Sequence, residues 1–575
     1  MSQRLPEWAR QMRDLFRSGS VSQFIIHGDI FDLVPYNAGQ GMKHVALERF
    51  FDDVMFSRYD VVLRYDRGHG LRATRGGHEV AKWISEQGGD SFALHTVRDP
   101  AHAMEVIDRF LLRSLNMQML AGSKESRIAV VIDFAEFVLP RGDALQLGSA
   151  YAGNVITALS WANDPAILQA NIVTILVTEN LNDLNAAVVG NPNTAKLEIP
   201  LPDETEMNFY VQGLCNEELK ELPAMCDVPI ETLGRRLTGL SRIGAKRALS
   251  LAVRNKQRVT SSWLTRIKKD LIEKDCQDLL AFYESPYTLD HVAGHEAAKA
   301  WLRQDTQLLR RGALKALPMG YLIAGRIGTG KTYLVQCWAG ELGVPCVVIK
   351  NFRDRWVGAT ESNLEKIFNV LRALGQVVVF VDEADQMAGK RQGSDMDGGL
   401  SGRIYAMLAK EMSETANRGK IIWVFATSRP DLLEVDLKRQ GRLDVHIPLF
   451  PPQTEAEKHA LWLAMARKLK LDLAPEDIPA LPAGMILGGN EIEGVLVRAL
   501  REQEMALEDE AARPLKEVVA DLVRQIRPSA HQRQLELMDM LAVRECTDHR
   551  FLPEIYAGMT PEQVEYRIAE LSRMA

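Results

Sequence analysis

Gly325-Arg326-Ile327-Gly328-Thr329-Gly330-Lys331-Thr332 matches the pattern GxxxxGK[ST], with the apolar run Tyr321–Ala324 before it and the helix-compatible run Tyr333–Leu342 after it. Strand, glycine-rich turn and helix, in that order, are the context the pattern requires. The glycines let backbone N–H groups turn inward around phosphate oxygens. The following helix points its positive end at the anion. Lys331 is placed to neutralise β- and γ-phosphate charge, and Thr332 to offer a hydroxyl to Mg²⁺.

About fifty residues further on, Val377–Val381 is an apolar run that ends in Asp382 and Glu383. A buried parallel strand reads as such a run. Ligands in open α/β sheets sit at the carboxyl ends of strands, so both acids are expected beside the phosphates. Asp382 suits Mg²⁺ and Glu383 suits orienting an attacking water. Alone, each acid is an ordinary solvated strand end; the spacing from Lys331 gives them meaning.

Working outward, strand-like and helix-like stretches alternate through the chain, which predicts α/β layers. One set is Gln23–His27, Val61–Tyr65, Ile128–Ile132, Ile172–Val177 and Leu197–Ile199. The other is Tyr321–Ala324, Val344–Lys350, Gln376–Val381, Ile421–Ala426 and Val445–Ile447. Residues 204–255 look helical, and 256–286 read as a charged helical connector. Residues 453–525 read as a helical lid after Pro451-Pro452, and 526–575 as a polar helical tail broken at Pro553 and Pro561.

Composition narrows the function. Apolar residues are 46% and charged residues 25%, an ordinary globular balance. The net charge of −7 argues against bulk nucleic-acid or anionic-membrane binding, which needs concentrated Lys and Arg. The six cysteines include no CxxC pair, so free thiols are expected rather than zinc. The longest apolar runs fall far short of the roughly 20 residues that span a bilayer. The first residues, MSQRLPEWARQMRDLF, lack the apolar centre of a secretion signal, so the expectation is a cytoplasmic protein.

With these motifs in view, residues 288–500 resemble an AAA domain of the clade that holds katanin, the proteasomal ATPases and the membrane-bound AAA proteases. Leu289-Asp290-His291-Val292-Ala293-Gly294 resembles the segment that enters such a domain, which implies that His291 and Val292 bracket adenine, with Tyr333 completing the nucleotide-binding set. Ala426-Thr427-Ser428-Arg429-Pro430-Asp431 resembles the sensor-1 segment, with Ser428 where the family carries Asn. Asp436–Asp444 resembles the second region of homology, which puts Arg439 and Arg442 on its two arginine fingers. Arg355–Ser362 resembles the pore loop, with Trp356, Val357 and Gly358 as its aromatic, aliphatic and glycine positions. Gly393–Gly399 occupies the place of a second pore loop. In Gly488-Gly489-Asn490, Asn490 takes the place of the family's Ala.

The first half has a similar order of strands without the chemistry. His27-Gly28-Asp29 replaces a phosphate loop, Phe134 follows Asp133 where the catalytic Glu should be, and Thr178-Glu179-Asn180 has no arginine pair after it. The layout is similar to a two-part AAA family of cyanobacterial and plastid genomes, in which a degenerate half precedes an active one.

The expected fold is therefore two three-layer α/β/α P-loop modules, the first degenerate, each with a helical lid-like segment, plus a short helical tail. The expected domains are 1–255, a linker at 256–286, 287–452, a lid at 453–525 and a tail at 526–575. The resemblance implies an ATPase using ATP and Mg²⁺. It implies a homo-oligomer, most often a hexameric ring because fingers act on a neighbour's nucleotide, that remodels a protein partner without a membrane. A non-threading assembly switch is the alternative, and a nucleic-acid motor fits the charge and the apolar pore loop less well.

Overall fold

The computed structural model describes residues 5–37, 41–86, 94–119, 126–142, 148–276, 280–283, 285–349, 360–387, 400–481, 485, 487–506, 513–526 and 531–574. The expected pore-loop residues Trp356, Val357 and Gly358, and the segment Gly393–Gly399, lie outside the described residues. The chain forms two compact units: residues 1–271 with 359–373, and residues 272–358 with 374–575.

The strands are β1 Gln23–Gly28, β2 Leu33–Asn37, β3 Met42–Ala46, β4 Val61–Asp66, β5 Gly70–Arg75, β6 Ile128–Ile132, β7 Ile172–Val177 and β8 Thr194–Ile199. They continue with β9 Leu280–Tyr283, β10 Gly320–Ala324, β11 Cys346–Ile349, β12 Val377–Val381, β13 Ile421–Thr427 and β14 Val445–Pro448. All ten strands read from the sequence are present, with ends that move by at most three residues.

The first sheet runs β5-β4-β6-β7-β1-β8 and the second β9-β11-β12-β13-β10-β14. In each, five strands are parallel, the first of them in chain order lying between the fourth and the fifth, and the remaining edge strand is antiparallel. The central strands β6, β7, β12 and β13 are buried along their whole length, as parallel strands covered on both faces must be. Helices flank them. In the second unit the helices Glu296–Arg310 and Lys331–Leu342 bury Leu302, Leu309, Leu334 and Trp338 against Tyr321, Ile323, Val378, Phe380, Ile422 and Val424.

Four strands were not legible. β2 and β3 form a small separate hairpin, and β5 and β9 are sheet edges. An edge strand meets solvent and carries polar residues, so β5 (GLRATR) lacks an apolar run. The connector 256–286 is helical over Ser261–Asp275, but it then supplies β9, which pairs antiparallel with β11.

The lid region packs Trp462, Ile492, Val495, Leu496 and Val519 into its own small core. The carboxyl-terminal segment is helical at Gln532–Glu545, Glu554–Ala557 and Pro561–Met574. It is not an appended tail: Phe551 belongs to the core of the second sheet, and Leu537, Leu541, Ile568 and Leu571 pack with Phe450. Among the described residues no helix is long and apolar enough to cross a membrane.

Candidate nucleotide site

In the second sheet β12, β13 and β10 are neighbours. The loop after β10, the acids after β12 and Ser428 after β13 therefore leave the same sheet end side by side. Loop 325–332 begins at Gly325, with φ 156°, where a β-carbon would lie 2.3 Å from the carbonyl oxygen of Leu449. Only glycine fits that close approach. Gly328 and Gly330 take φ 86° and 83° and face open space. The helix Lys331–Leu342 starts immediately after and ends at Gly343, φ 73°.

Lys331 Nζ donates to the carbonyls of Gly325 (2.7 Å) and Arg326 (3.0 Å) and to Ser428 Oγ (3.1 Å). The shorter side chain at 428 thus still reaches the lysine. Burial pushes the ammonium down to about 8, opposed by the charges of Asp382, Asp385, Asp539 and Glu383. Thr332 Oγ1 donates to Asp382 Oδ2 at 2.8 Å, while Asp382 Oδ1 accepts the backbone N–H of Glu383 at 2.9 Å. Glu383 is exposed and has φ 48°. Thr329 Oγ1 donates to the Arg326 carbonyl at 2.9 Å, and the Ile327 side chain is exposed.

A cavity of about 370 Å³ lies against the loop. His291, Val292, Gly328, Thr329, Gly330 and Tyr333 line it, so the entry segment and the phosphate loop share one wall. His291 is fixed by its turn: its Nδ1 lies 3.1 Å from the Thr288 N–H, which donates to it. The lid closes another side, with Leu461, Met465, Gly489 and Asn490, and the Gly489 N–H donates to the Gly328 carbonyl at 3.2 Å.

Arg439 and Arg442 stand apart. Neither they nor Lys331, Thr332, Asp382, Glu383 and Ser428 are in the cavity wall, but no hydrogen bond among the described residues joins the two arginines to that group, and both ion-pair with Asp436 at 2.6 Å. Arg439 is 61% exposed at its side chain. Their loop is braced from within: Asp444 accepts the N–H groups of Met319 and Gly441, and Lys438 pairs with Glu545 at 2.7 Å.

Three contributors escaped the sequence reading. His295, with φ 56°, has Nε2 3.1 Å from the Thr329 carbonyl, and desolvation pushes its pKa down, which favours the neutral ring that donates there. Asp539 approaches Arg326, Oδ2 to Nη1 at 3.6 Å. Arg550, Phe551, Leu552 and Pro553 form part of the cavity wall. His295 directly follows the quoted entry segment and had a local signal; the other two come from a distant segment and had none.

A glycine-lined phosphate loop, its lysine, and a Thr–Asp pair at the carboxyl end of a parallel sheet define a P-loop nucleotide-binding domain. Comparison with known proteins narrows the class. Residues 321–450 match the model of the AAA family (ATPase family associated with various cellular activities), residues 2–200 the AAA+ chaperone N-terminal Rossmann-like domain, and residues 208–277 the AAA+ chaperone second helical domain. The chain is 30% identical over 243 residues to the ATP-dependent zinc metalloprotease FtsH 2 of Salinibacter ruber, covering 40% of this chain and 34% of that protein. It is 29% identical over 306 residues to the peroxisomal ATPase PEX6 of Candida glabrata (49% and 30%), and 28% over 274 residues to the cell division cycle protein 48 homolog of Archaeoglobus fulgidus (44% and 37%). The chain spans about a third of the length of these curated relatives. Residues 321–450 thus match an AAA ATPase domain, and residues 2–200 and 208–277 match two domains of AAA+ chaperones.

Proposed function

We propose that this chain hydrolyses ATP at the cavity beside Lys331 and uses the cycle to remodel or take apart a protein partner, as a ring of identical copies. The observation that carries the reading is the joint placement of Lys331, Thr332–Asp382, Glu383 and Ser428 at one sheet end beside a cavity large enough for a nucleotide. The family models for the first unit, both named for AAA+ chaperones, support a protein as the object of the work.

The residues fit a nucleoside triphosphate with Mg²⁺. Gly328 and Gly330 leave room for phosphate oxygens, Lys331 supplies a cation, and the Thr332 hydroxyl and Asp382 carboxylate are hard oxygen donors 2.8 Å apart. Thr332 and Asp382 would hold the ion, and Mg²⁺ would supply positive charge to neutralise what develops on the phosphates. Lys331 gives up its carbonyl contacts for the phosphates. Glu383 orients the attacking water and accepts its proton, and Ser428 holds the γ-phosphate side of the loop. Arg439 and Arg442, paired with Asp436 in the single chain, serve the nucleotide of a neighbouring copy. His291, Val292 and Tyr333 flank the base. Trp356, Val357 and Gly358 are proposed to grip polypeptide. Domain limits of 1–255, 256–286, 287–452, 453–525 and 526–575, and a cytoplasmic location, are part of the same reading.

The test is Mg²⁺-dependent phosphate release by the purified protein, with Lys331→Ala as control. Release that survives in Lys331→Ala places the chemistry elsewhere. Trp356→Ala separates motor from switch: the motor loses remodelling of a protein substrate while retaining hydrolysis, whereas unimpaired remodelling would mean that the Trp356 loop does not pull.

A further inference from the structure

Asp539 lies on the helix Gln532–Glu545, more than two hundred residues from the phosphate loop in sequence. It is 3% exposed. Its Oδ2 is 3.6 Å from the guanidinium of Arg326, whose own side chain is only 14% exposed. Its Oδ1 is buried and has no hydrogen-bond partner among the described residues. A carboxylate so enclosed is costly unless cations or donors face it. The cations that do are Arg326 and Lys331, both from the phosphate loop; the other titratable groups near it are Glu536 on its own helix and Tyr556.

Arg326 is also the hinge of the loop's present shape. Its carbonyl accepts from both Lys331 Nζ and Thr329 Oγ1. Whatever holds the Arg326 side chain therefore fixes the first turn of the loop, and with it the carbonyl on which Lys331 rests. The segment that carries Asp539 is itself built into the site: Phe551 joins the core of the sheet, Arg550 lies over the Trp301 ring with its guanidinium carbon 4.9 Å from the centroid, and residues 550–553 wall the cavity.

We propose that Asp539 is a positioning residue of the nucleotide site, holding Arg326 and so the phosphate loop, and that its charge opposes the polyphosphate. This rests on the cavity beside Lys331 being the nucleotide site. Burial, only partly offset by Arg326 and Lys331, raises the Asp539 carboxyl to about 7. Nucleotide phosphate adds negative charge at the loop, which favours the protonated carboxyl. Below about pH 7 the group is already neutral and binding is unopposed. As pH rises through 7, binding must either face a carboxylate or take up a proton, so affinity falls.

The experiment is a titration of the full chain and of Asp539→Asn with a fluorescent ATP analogue at saturating Mg²⁺, from pH 6 to 8.5. The quantity read is the ratio of the two dissociation constants, because titrations common to both chains cancel. The ratio is expected near one at pH 6, rising to roughly 3–10 in favour of Asp539→Asn at pH 8.5, with KM moving and kcat little changed. A ratio independent of pH overturns the proposal. Should Asp539→Asn not fold, Asp539→Ser takes its place in the same titration: the same rise of the ratio with pH is expected, and a ratio independent of pH overturns the proposal. If the wild-type chain binds no nucleotide at all, the site assignment fails rather than the role of Asp539.

Discussion

β6 and β12 occupy the same place in their respective sheets and end alike, one in Asp133-Phe134 and the other in Asp382-Glu383. Both second residues are non-glycine and left-handed, with φ 50° and 48°. Such a backbone costs on the order of 1–3 kcal/mol and is often taken as a mark of an active site. Here it is present also where Phe134 stands in place of the acid, so the bend belongs to the strand end of this fold. What differs is the carboxylate's partner. Asp382 meets a threonine hydroxyl at the mouth of a phosphate loop. Asp133 meets Arg64, from β4, in a bidentate ion pair whose side chains are 5% and 14% exposed, and Phe134 lies beside Phe31, ring centroids 6.0 Å apart. The first module has kept the scaffold and spent the acid on an internal cation.

The comparison breaks most decisively at the arginines, for which the first module has no counterpart. Arg439→Ala and Arg442→Ala are each expected to slow ATP turnover by about 10³–10⁵ while leaving ATP affinity within a few-fold. Mixing a finger-less copy with Lys331→Ala copies, which keep their arginines, should restore part of the rate. Full activity in a dilute monomer would remove the fingers from the account.

Next in size is Glu383→Gln, expected to retain ATP and lose about 10²–10⁴ in rate. Its mirror image is Phe134→Glu, which restores the acid but neither the loop nor the lysine. Equilibrium binding should give one nucleotide per chain in the wild type and still one in Phe134→Glu. Two per chain would show that the first module is not degenerate.

How much of this was legible follows from where each contact lies in sequence. The loop 325–332 and Asp382-Glu383 are short-range patterns, and an apolar five-residue strand such as β12 announces itself. The two-module architecture followed from the strand runs. β9 was missed because four residues after a charged helix carry no periodicity, and β5 because an edge strand is written in polar residues. Asp539 and Arg550 were invisible for another reason: their meaning comes from packing against Arg326 and Trp301, and a polar helix looks the same wherever it docks. His295 lies one residue past the entry segment, but its role is a contact with the Thr329 carbonyl, which no motif position encodes.

The Arg64–Asp133 pair sharpens the contrast in stability rather than rate. Burial pushes the Asp133 carboxyl up and Arg64 opposes the shift, so the carboxylate depends on its partner. Removing one member of a buried pair strands the other, at about 3–5 kcal/mol. Arg64→Ala should therefore lower the unfolding free energy, read from a denaturant titration, by that amount, whereas Arg64→Met combined with Asp133→Leu should recover most of the loss. A loss below about 1 kcal/mol in Arg64→Ala would mean that water, not the pair, satisfies Asp133.

The smallest effect asks whether a glycine at the end of the first parallel strand of each sheet is there for phosphate or for the fold. Gly325 stands against the Leu449 carbonyl and Gly28 against the Ile199 carbonyl, where a β-carbon would come to 2.3 and 2.5 Å, with φ 156° and 95°. Both clashes are with backbone and neither can be relieved by turning a side chain. Gly28→Ala and Gly325→Ala should therefore cost a similar amount, about 1–3 kcal/mol by denaturant unfolding, although only the second belongs to a GxxxxGK[ST] loop. Equal losses assign the glycine to the close approach of neighbouring strand ends. A loss confined to Gly325→Ala would instead tie that glycine to the phosphate loop and leave Gly28 as an accident of descent.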